Sequence, residues 1–490
     1  MERIKDHESE YLNNKLTCVD KYSYLIVFSV AIILRLIPEI LAYPYPIGYD
    51  VINYYLPVLK HFDDYSSTIS NQFPLYISLL HAISSIVNVD PRIVITSSVV
   101  LLYGLFALVV FSIANKLLHL HNLQSIFVSM FVIFQFSTLR TSWDLHKDLF
   151  AITLAFFCLY YIEKSQNIRK MLALVIPLAI LAVLADRMIG LLLSLSLVIS
   201  SITRRDKILG SVALVIVIVY AFYLFTNFAP ISTNLEMASN KGIQNEIYNP
   251  INLVVLFLVM NAILLPTGVV GLWKLKSTMN IFKVPLFITL VASFSWIVFP
   301  NTSAFLPDRW ITIFSISLSL FAGYGFVSLI EKGNFGILNK KLNNYLVIII
   351  PFLFLGSAFA MNPNNSYFNI YGVFHPYISQ FGPLTMQYNS ISLPESRSLL
   401  AAIEWKENHT QKDSVIMGSK HLRGWMGIEL NERIFLFADN NTRLLASNKY
   451  SELYLLELNS RQATEIPGNY LQVLSYSNAD LSLYHLKRIN

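Results

Sequence analysis

Charge is what this chain holds least of. Only 13% of its 490 residues are Asp, Glu, Lys or Arg, while 54% are hydrophobic; a soluble domain carries about 25% charged residues. With a mean hydropathy of +0.52, that shortage excludes a soluble globular protein and implies an integral membrane one. Cysteine is scarcer still. Cys18 sits in the polar N-terminal tail and Cys158 inside an apolar run, so neither a disulfide nor a cysteine metal motif is expected. A glycine-rich phosphate loop of the Walker type, a Cys or His cluster and a serine-nucleophile motif are all missing, so ATP need not be used directly. The net charge of +6 is that of basic loops beside a membrane rather than of a nucleic-acid-binding face, and no nucleic-acid partner is expected. Residues 1–21 mix Arg3, Lys5, Lys15 and Lys21 with acidic residues. They are too long and polar for a signal-peptide n-region, so the first helix should stay as an anchor.

Present instead are uncharged apolar runs long enough to cross a hydrocarbon core of ~30 Å, where only helices satisfy the backbone at these lengths. They fall near 22–42, 92–116, 123–139, 148–163, 170–185, 187–203, 208–228, 251–273, 284–300, 310–330 and 343–361, which makes about eleven spans. The stretch FPLYISLLHAISSIVNV, 73–89, is short, opened by Pro74 and interrupted by His81 and serines. It predicts an interfacial or re-entrant helix; were it to cross, the N-terminus would lie outside and the other assignments would stand. The predicted fold is therefore mostly α. A cytoplasmic tail over 1–21 precedes a polytopic domain over 22–361, and a small extracytoplasmic α/β domain follows over 362–490.

Orientation follows from basic residues in short loops. Lys164, Arg169 and Lys170; Arg204, Arg205 and Lys207; Lys274, Lys276 and Lys283; and Lys332, Lys340 and Lys341 alternate with the other loops and mark the cytoplasm, because Lys and Arg resist translocation. The N-terminus joins them, and the C-terminal domain is external. The Asn-x-Ser/Thr sequons at Asn301, Asn364, Asn408 and Asn440 all fall on the outer side. The predicted location is a prokaryotic plasma membrane.

The outer loops then hold the most conspicuous charges. These are Asp50 in YPYPIGYDVINYYLP; Arg140, Asp144, His146, Lys147 and Asp148 in RTSWDLHKDLF; Asp186 and Arg187 in ADRMIG; and Asp308 and Arg309 in FLPDRW. Helices returning to one face would gather them around a single cavity, offering a base, metal ligands and a phosphate clamp. Plainer readings stand beside this one. Charges at helix ends also serve as interfacial anchors, and Asp50 is a natural N-cap for a helix beginning near Val51. Tyr43, Tyr45, Tyr49, Tyr54 and Tyr55 form an aromatic belt. Arg35 and Glu39, four residues apart inside the first span, neutralise each other. His146 has acidic neighbours but no second histidine nearby, which leaves a metal role open.

The order of these pieces carries a resemblance. A first helix ending in Arg and Pro, then YPIGYD with YY and Pro beyond it, a proline-led interfacial helix, and SWDLHKD opening a later span together resemble the GT-C superfamily of glycosyltransferases that use polyprenyl-linked sugars. PDRWITIFSISLSLFAGYGF, 307–326, is similar to the arginine-led late helix of such enzymes, and SLLAAIEWKENHTQKDSVIMGS, 398–419, to the opening of their external domain. The superfamily includes protein O-mannosyltransferases, aminoarabinose transferases and oligosaccharyltransferases. There an aspartate of the first external loop is the catalytic base or a metal ligand, which the resemblance places at Asp50. A second acidic residue in the next external loop matches Asp144 or Asp148, and spacing does not choose between them. The resemblance also admits a divalent cation, Mg or Mn, with ligands among Asp50, Asp144, Asp148 and His146. The chain departs from its relatives in having Tyr49 and Val51 beside a single aspartate, where they carry Asp-x-Asp or Asp-Glu.

One carboxylate suits the chemistry. Cleaving an ordinary glycoside needs an acid for the leaving alcohol as well as a base or nucleophile. A sugar on a lipid phosphate departs from a stable anion, which needs cations rather than a proton donor. Asp50 as base, with Arg309, Arg187 and Lys147 as donor-phosphate ligands, would suffice, and direct attack on the anomeric carbon predicts inversion. The expected partners are a polyprenyl-phosphate sugar donor, membrane lipids and a protein, glycan or lipid acceptor. The rival reading is a transporter or flippase, which would place its site near the midplane, often within repeated halves; here the charges sit at one face and no internal repeat is found. A non-catalytic protein that binds lipid-linked sugar is the third class, and it would tolerate Asp50→Asn. In the C-terminal domain, NPNNSYFN and HPYISQFGP read as linker, 396–409 as helix, SVIMGS, RIFLFA and ELYLLEL as strands, and LQVLSYSNADLSLYHL as a hairpin. Acceptor binding or closure of the cavity is its expected role.

Overall fold

The computed structural model describes residues 2–60, 74–165, 168–227, 250–275, 279–298, 306–332, 338–361, 393–411, 414–418, 424–426, 435–437, 452–459 and 470–488, with single positions between them. Helices occupy every apolar run. In chain order they are α1 (Glu2–Ala42), α2 (Leu56–Lys60) after a π-helical turn (Val51–Tyr55), α3 (Pro74–Val87), α4 (Pro91–Lys116), α5 (Asn122–Ile133), α6 (Phe136–Trp143), α7 (His146–Lys164) and α8 (Ile168–Ala185). Then come α9 (Arg187–Arg204), α10 (Lys207–Asn227), α11 (Pro250–Asn261), α12 (Leu264–Lys274), α13 (Asn280–Ser293), α14 (Ser295–Val298), α15 (Pro307–Lys332) and α16 (Leu338–Ala360).

Among the described residues, five helices are long and apolar enough to cross a membrane, or up to seven if each of two bent pairs counts as one span. The expectation of about eleven spans is not reached by that measure, for physical reasons. Helix α7 carries Lys147, Asp148, Glu163 and Lys164 at its ends, and the apolar parts of α8, α13 and α16 fall short of 18 residues. The runs 123–139 and 251–273, each expected as one span, are broken: α5 and α6 meet at 61°, α11 and α12 at 65°. Gln135 in extended backbone opens α6. At the second break the Asn261 side chain donates to the Phe257 carbonyl and accepts from the Ser315 hydroxyl, polar insertions of the kind that accompany a kink. The proline-led stretch 73–89 forms the short helix α3, as expected.

Helix α15 lies at the centre, with 78% of its apolar window buried against α5, α11, α12 and α13. Its buried Ser319 hydroxyl donates to the Ile316 carbonyl three residues back, which satisfies it without a partner helix. Helices α7 and α9 run in the same direction. At their starts Lys147 pairs with Asp186 at 3.3 Å, and at their ends Glu163 pairs with Arg204 at 2.6 Å. The acidic and basic residues singled out in the sequence therefore gather at one end of the bundle, and the basic loops at the other.

The C-terminal region holds α17 (Leu393–His409) and a five-stranded sheet. Its strands β1 (Val415–Gly418), β2 (Phe435–Phe437), β3 (Leu453–Leu458), β4 (Tyr470–Ser477) and β5 (Leu481–Arg488) lie in the order β2-β1-β3-β5-β4. The first three neighbours are parallel and the last two pairings antiparallel. The expected hairpin is β4–β5, and Asn478 makes its turn by accepting the Asp480 and Leu481 N–H groups on its own side chain. The linker NPNNSYFN and HPYISQFGP, the sequons at Asn301, Asn364 and Asn440, and Lys276 lie outside the described residues.

Candidate functional site

Helix α1 ends at Ala42, and the chain passes Pro44 and Pro46 to Gly48. Gly48 has φ +97°, and a Cβ there would collide with the Trp143 carbonyl; glycine lets the first loop nest against the end of α6. Asp50 follows, 4% exposed, and its backbone N–H donates to Asp144 Oδ1 at 2.9 Å. Its carboxylate makes no capping bond to the π-helical turn that begins at Val51, so the N-cap reading of Asp50 does not hold. Asp144 closes α6 and is itself buried.

Three further elements converge here. Asp148, in the first turn of α7, has Oδ2 3.7 Å from Arg309 Nη1 in the first turn of α15. Lys147 pairs with Asp186, whose other oxygen accepts the Met188 and Ile189 N–H groups and so caps α9. Arg140 Nη1 donates to Thr312 Oγ1 at 3.1 Å. Asp50, Asp144, Asp148 and Asp186 thus share one buried region with Arg140, Lys147 and Arg309. Burial, and then the Asp144 charge, push the Asp50 carboxyl up to about 7, against the pull of Arg309, Lys147 and Arg140. Asp144 is also raised, by burial. At Asp186 burial acts the same way, but Lys147 and the Ile189 N–H outweigh it and hold the group below its ordinary value.

The other expected residues are placed as follows. Arg187 is exposed at the start of α9, unlike the buried aspartates. His146 is buried among Tyr55 and Tyr76, with ring centroids at 5.7 and 6.5 Å. The Trp143 and Ser142 carbonyls lie beside it, yet neither ring nitrogen meets hydrogen-bond geometry. It borders a cavity of about 270 Å³ that also touches Glu39, Tyr45, Arg92 and Thr96. Arg35 and Glu39 do pair, at 2.6 Å, and they also tie α1 to its neighbours: Arg35 Nε donates to the Ser142 carbonyl and Glu39 accepts from Thr96. Among the described residues no group of three or more His, Cys, Asp or Glu side chains is arranged to hold a metal ion. Asp50, Asp144, Asp148 and His146, the expected ligands of Mg or Mn, form no such group in this arrangement. Arg140 and Asp186 were gathered with the outer charges from sequence but given no role, and Asn53 was not singled out. Asp186 was visible as a helix-opening aspartate, the signal of a cap, whereas no sequence signal links Asn53 to the C-terminal Gly424, whose N–H it accepts.

No family model matches the sequence, and no curated protein does. Among solved structures, the crystal structure of the aminoarabinose transferase ArnT from Cupriavidus metallidurans, bound to undecaprenyl phosphate, superimposes with a TM-score of 0.55. The match covers 95% of this chain and 98% of that one at 9% identity. The chain shares the fold of that structure. It is a multi-pass membrane protein, and the likeness runs through the helical bundle and the C-terminal domain alike. At this identity what is shared is architecture. Within this fold the buried carboxylates and their cations lie at the end of the bundle that meets the C-terminal domain, where Asn53 touches Gly424.

Proposed function

We propose that the protein is an inverting glycosyltransferase of a prokaryotic plasma membrane, which moves a sugar from a polyprenyl phosphate to an acceptor on the outer face. The observation that carries this reading is the placing of Asp50, through its own N–H, against Asp144 within reach of the charges of Arg309 and Lys147, in a fold shared with ArnT bound to undecaprenyl phosphate. Asp50 takes the proton of the acceptor hydroxyl as that oxygen attacks the anomeric carbon. The bond from that carbon to the phosphate oxygen breaks, and its electron pair leaves with the polyprenyl phosphate. Arg309 and Lys147 receive the phosphate charge. Arg309 offers five N–H donors, and its contact with Asp148 is a single loose one of 3.7 Å, which leaves donors for phosphate oxygens. Asp144 orients the Asp50 backbone, and Asp186 holds Lys147.

The test is reconstitution in liposomes with labelled polyprenyl-phosphate sugars, comparing the wild type with Asp50→Asn and Arg309→Ala, with and without chelator. Sugar transfer that needs Asp50 and inverts the anomeric centre supports the reading. Full transfer by Asp50→Asn removes the proposed base, and loss of transfer on chelation brings back the divalent cation.

A further inference from the structure

The peptide unit joining Tyr49 to Asp50 is held from both sides. Its N–H, which belongs to Asp50, donates to Asp144 Oδ1 at 2.9 Å. Its carbonyl, on Tyr49, accepts from Asn53 Nδ2 at 3.1 Å. The same Asn53 side chain accepts through Oδ1 from the Gly424 N–H, also at 3.1 Å and 371 residues away in sequence. An asparagine amide has a donating end and an accepting end. Here one end holds the backbone before Asp50, and the other holds the C-terminal domain.

Gly424 makes this approach possible. A Cβ at that position would overlap the Ile52 carbonyl and Asn53 Oδ1, so the backbone of the C-terminal domain lies directly on the π-helical turn. Around it Leu422, Trp425 and Met426 are buried, and they join the same apolar cluster as Ile52, Tyr55 and Leu56. Part of the sheet, with Ile416 and Leu456, belongs to that cluster too. A π-helical turn is a rare, single-turn feature found at functional sites, and this one has support from outside its own backbone.

We propose that the C-terminal domain positions Asp50, acting through the contact of Gly424 with Asn53. Its catalytic consequence rests on Asp50 being the reacting carboxylate; the mechanical link does not. The test uses the full-length protein in liposomes, with hydrogen exchange followed by mass spectrometry on peptides covering 48–56, alongside steady-state transfer. Gly424→Ala forces the two backbones apart. It should speed exchange over 49–53 by about tenfold and lower kcat by about 10- to 100-fold, with donor KM within about twofold, because a misplaced reacting group costs rate rather than binding. Asn53→Asp keeps an acceptor for Gly424 and loses the donor to Tyr49, so the kcat loss should recur. Should Gly424→Ala not fold, Asn53→Asp reads the same link. Unchanged exchange over 49–53 in the folded variants overturns the proposal, as does faster exchange with unchanged kcat. Full transfer by Asp50→Asn would instead remove the base assignment, while the exchange result would still measure the link.

Discussion

Replacing Asp50 by asparagine leaves the backbone N–H that donates to Asp144 and changes little in volume, so the loss is one of basicity alone. Transfer should fall by about 10²- to 10⁴-fold, the range for removing a general base, as measured with labelled donor in liposomes. The pH dependence has a definite sign. With the Asp50 carboxyl pushed up to about 7, the ionised base forms as pH rises, so the rate should climb through neutrality and level off on the alkaline side. Stability moves the other way. A carboxyl that binds its proton more tightly folded than unfolded contributes stability below the ordinary carboxylate range and loses it as pH rises through about 7. The Asp50→Asn protein should therefore melt no lower than the wild type at pH 8 while being inactive. Arg309→Ala should cut kcat by about 10²- to 10³-fold, as for loss of a donor that stabilises developing charge, and Arg309→Lys should restore part of it. That Asp50 and Arg309 would meet at one end of the bundle was legible from charges at span ends flanked by proline and aromatic residues. That Arg187 would be exposed was not: Asp186 turns inward to cap α9, and its neighbour in sequence is left outside.

Helix α9 offers a separation of roles within one side chain. Asp186 both caps the helix and holds Lys147. Asparagine caps as well as aspartate does but carries no charge for Lys147, whereas alanine loses both. Asp186→Asn should thus keep the cap and lose only the pairing with Lys147, and Asp186→Ala should be less stable than Asp186→Asn by about 1 kcal/mol in detergent. Both should alter donor KM alike, because both release Lys147. Apolar runs located the helices well, since hydropathy over a window reports what a segment avoids. Direction is another matter. The 61° and 65° bends depend on single polar residues, Gln135 and Asn261, whose effect a mean over 19 residues dilutes. The sheet was legible for the opposite reason: its short β-rich runs are bounded by turn chemistry such as that of Asn478.

At the scale of the molecule, the bonds at both ends of α7 and α9 fix which groups share a side. Lys147 with Asp186 and Glu163 with Arg204 lie about 24 Å apart along α7, at about 1.5 Å of rise per residue, most of the thickness of a hydrocarbon core. The C-terminal domain meets the bundle at the Asp50 end, through Gly424 and Asn53. Arg205, exposed just beyond α9, belongs to the opposite end. If basic loops stay in the cytoplasm, Arg205 and the exposed Glu407 of α17 must face different compartments. Cys158 is buried, so a Cys18→Ser background should give little native labelling. In intact cells a membrane-impermeant thiol reagent should then modify Glu407→Cys at once and Arg205→Cys only after permeabilisation. Labelling of Arg205→Cys from outside, with Glu407→Cys protected, would turn the site toward the cytosol and require a donor presented on that side.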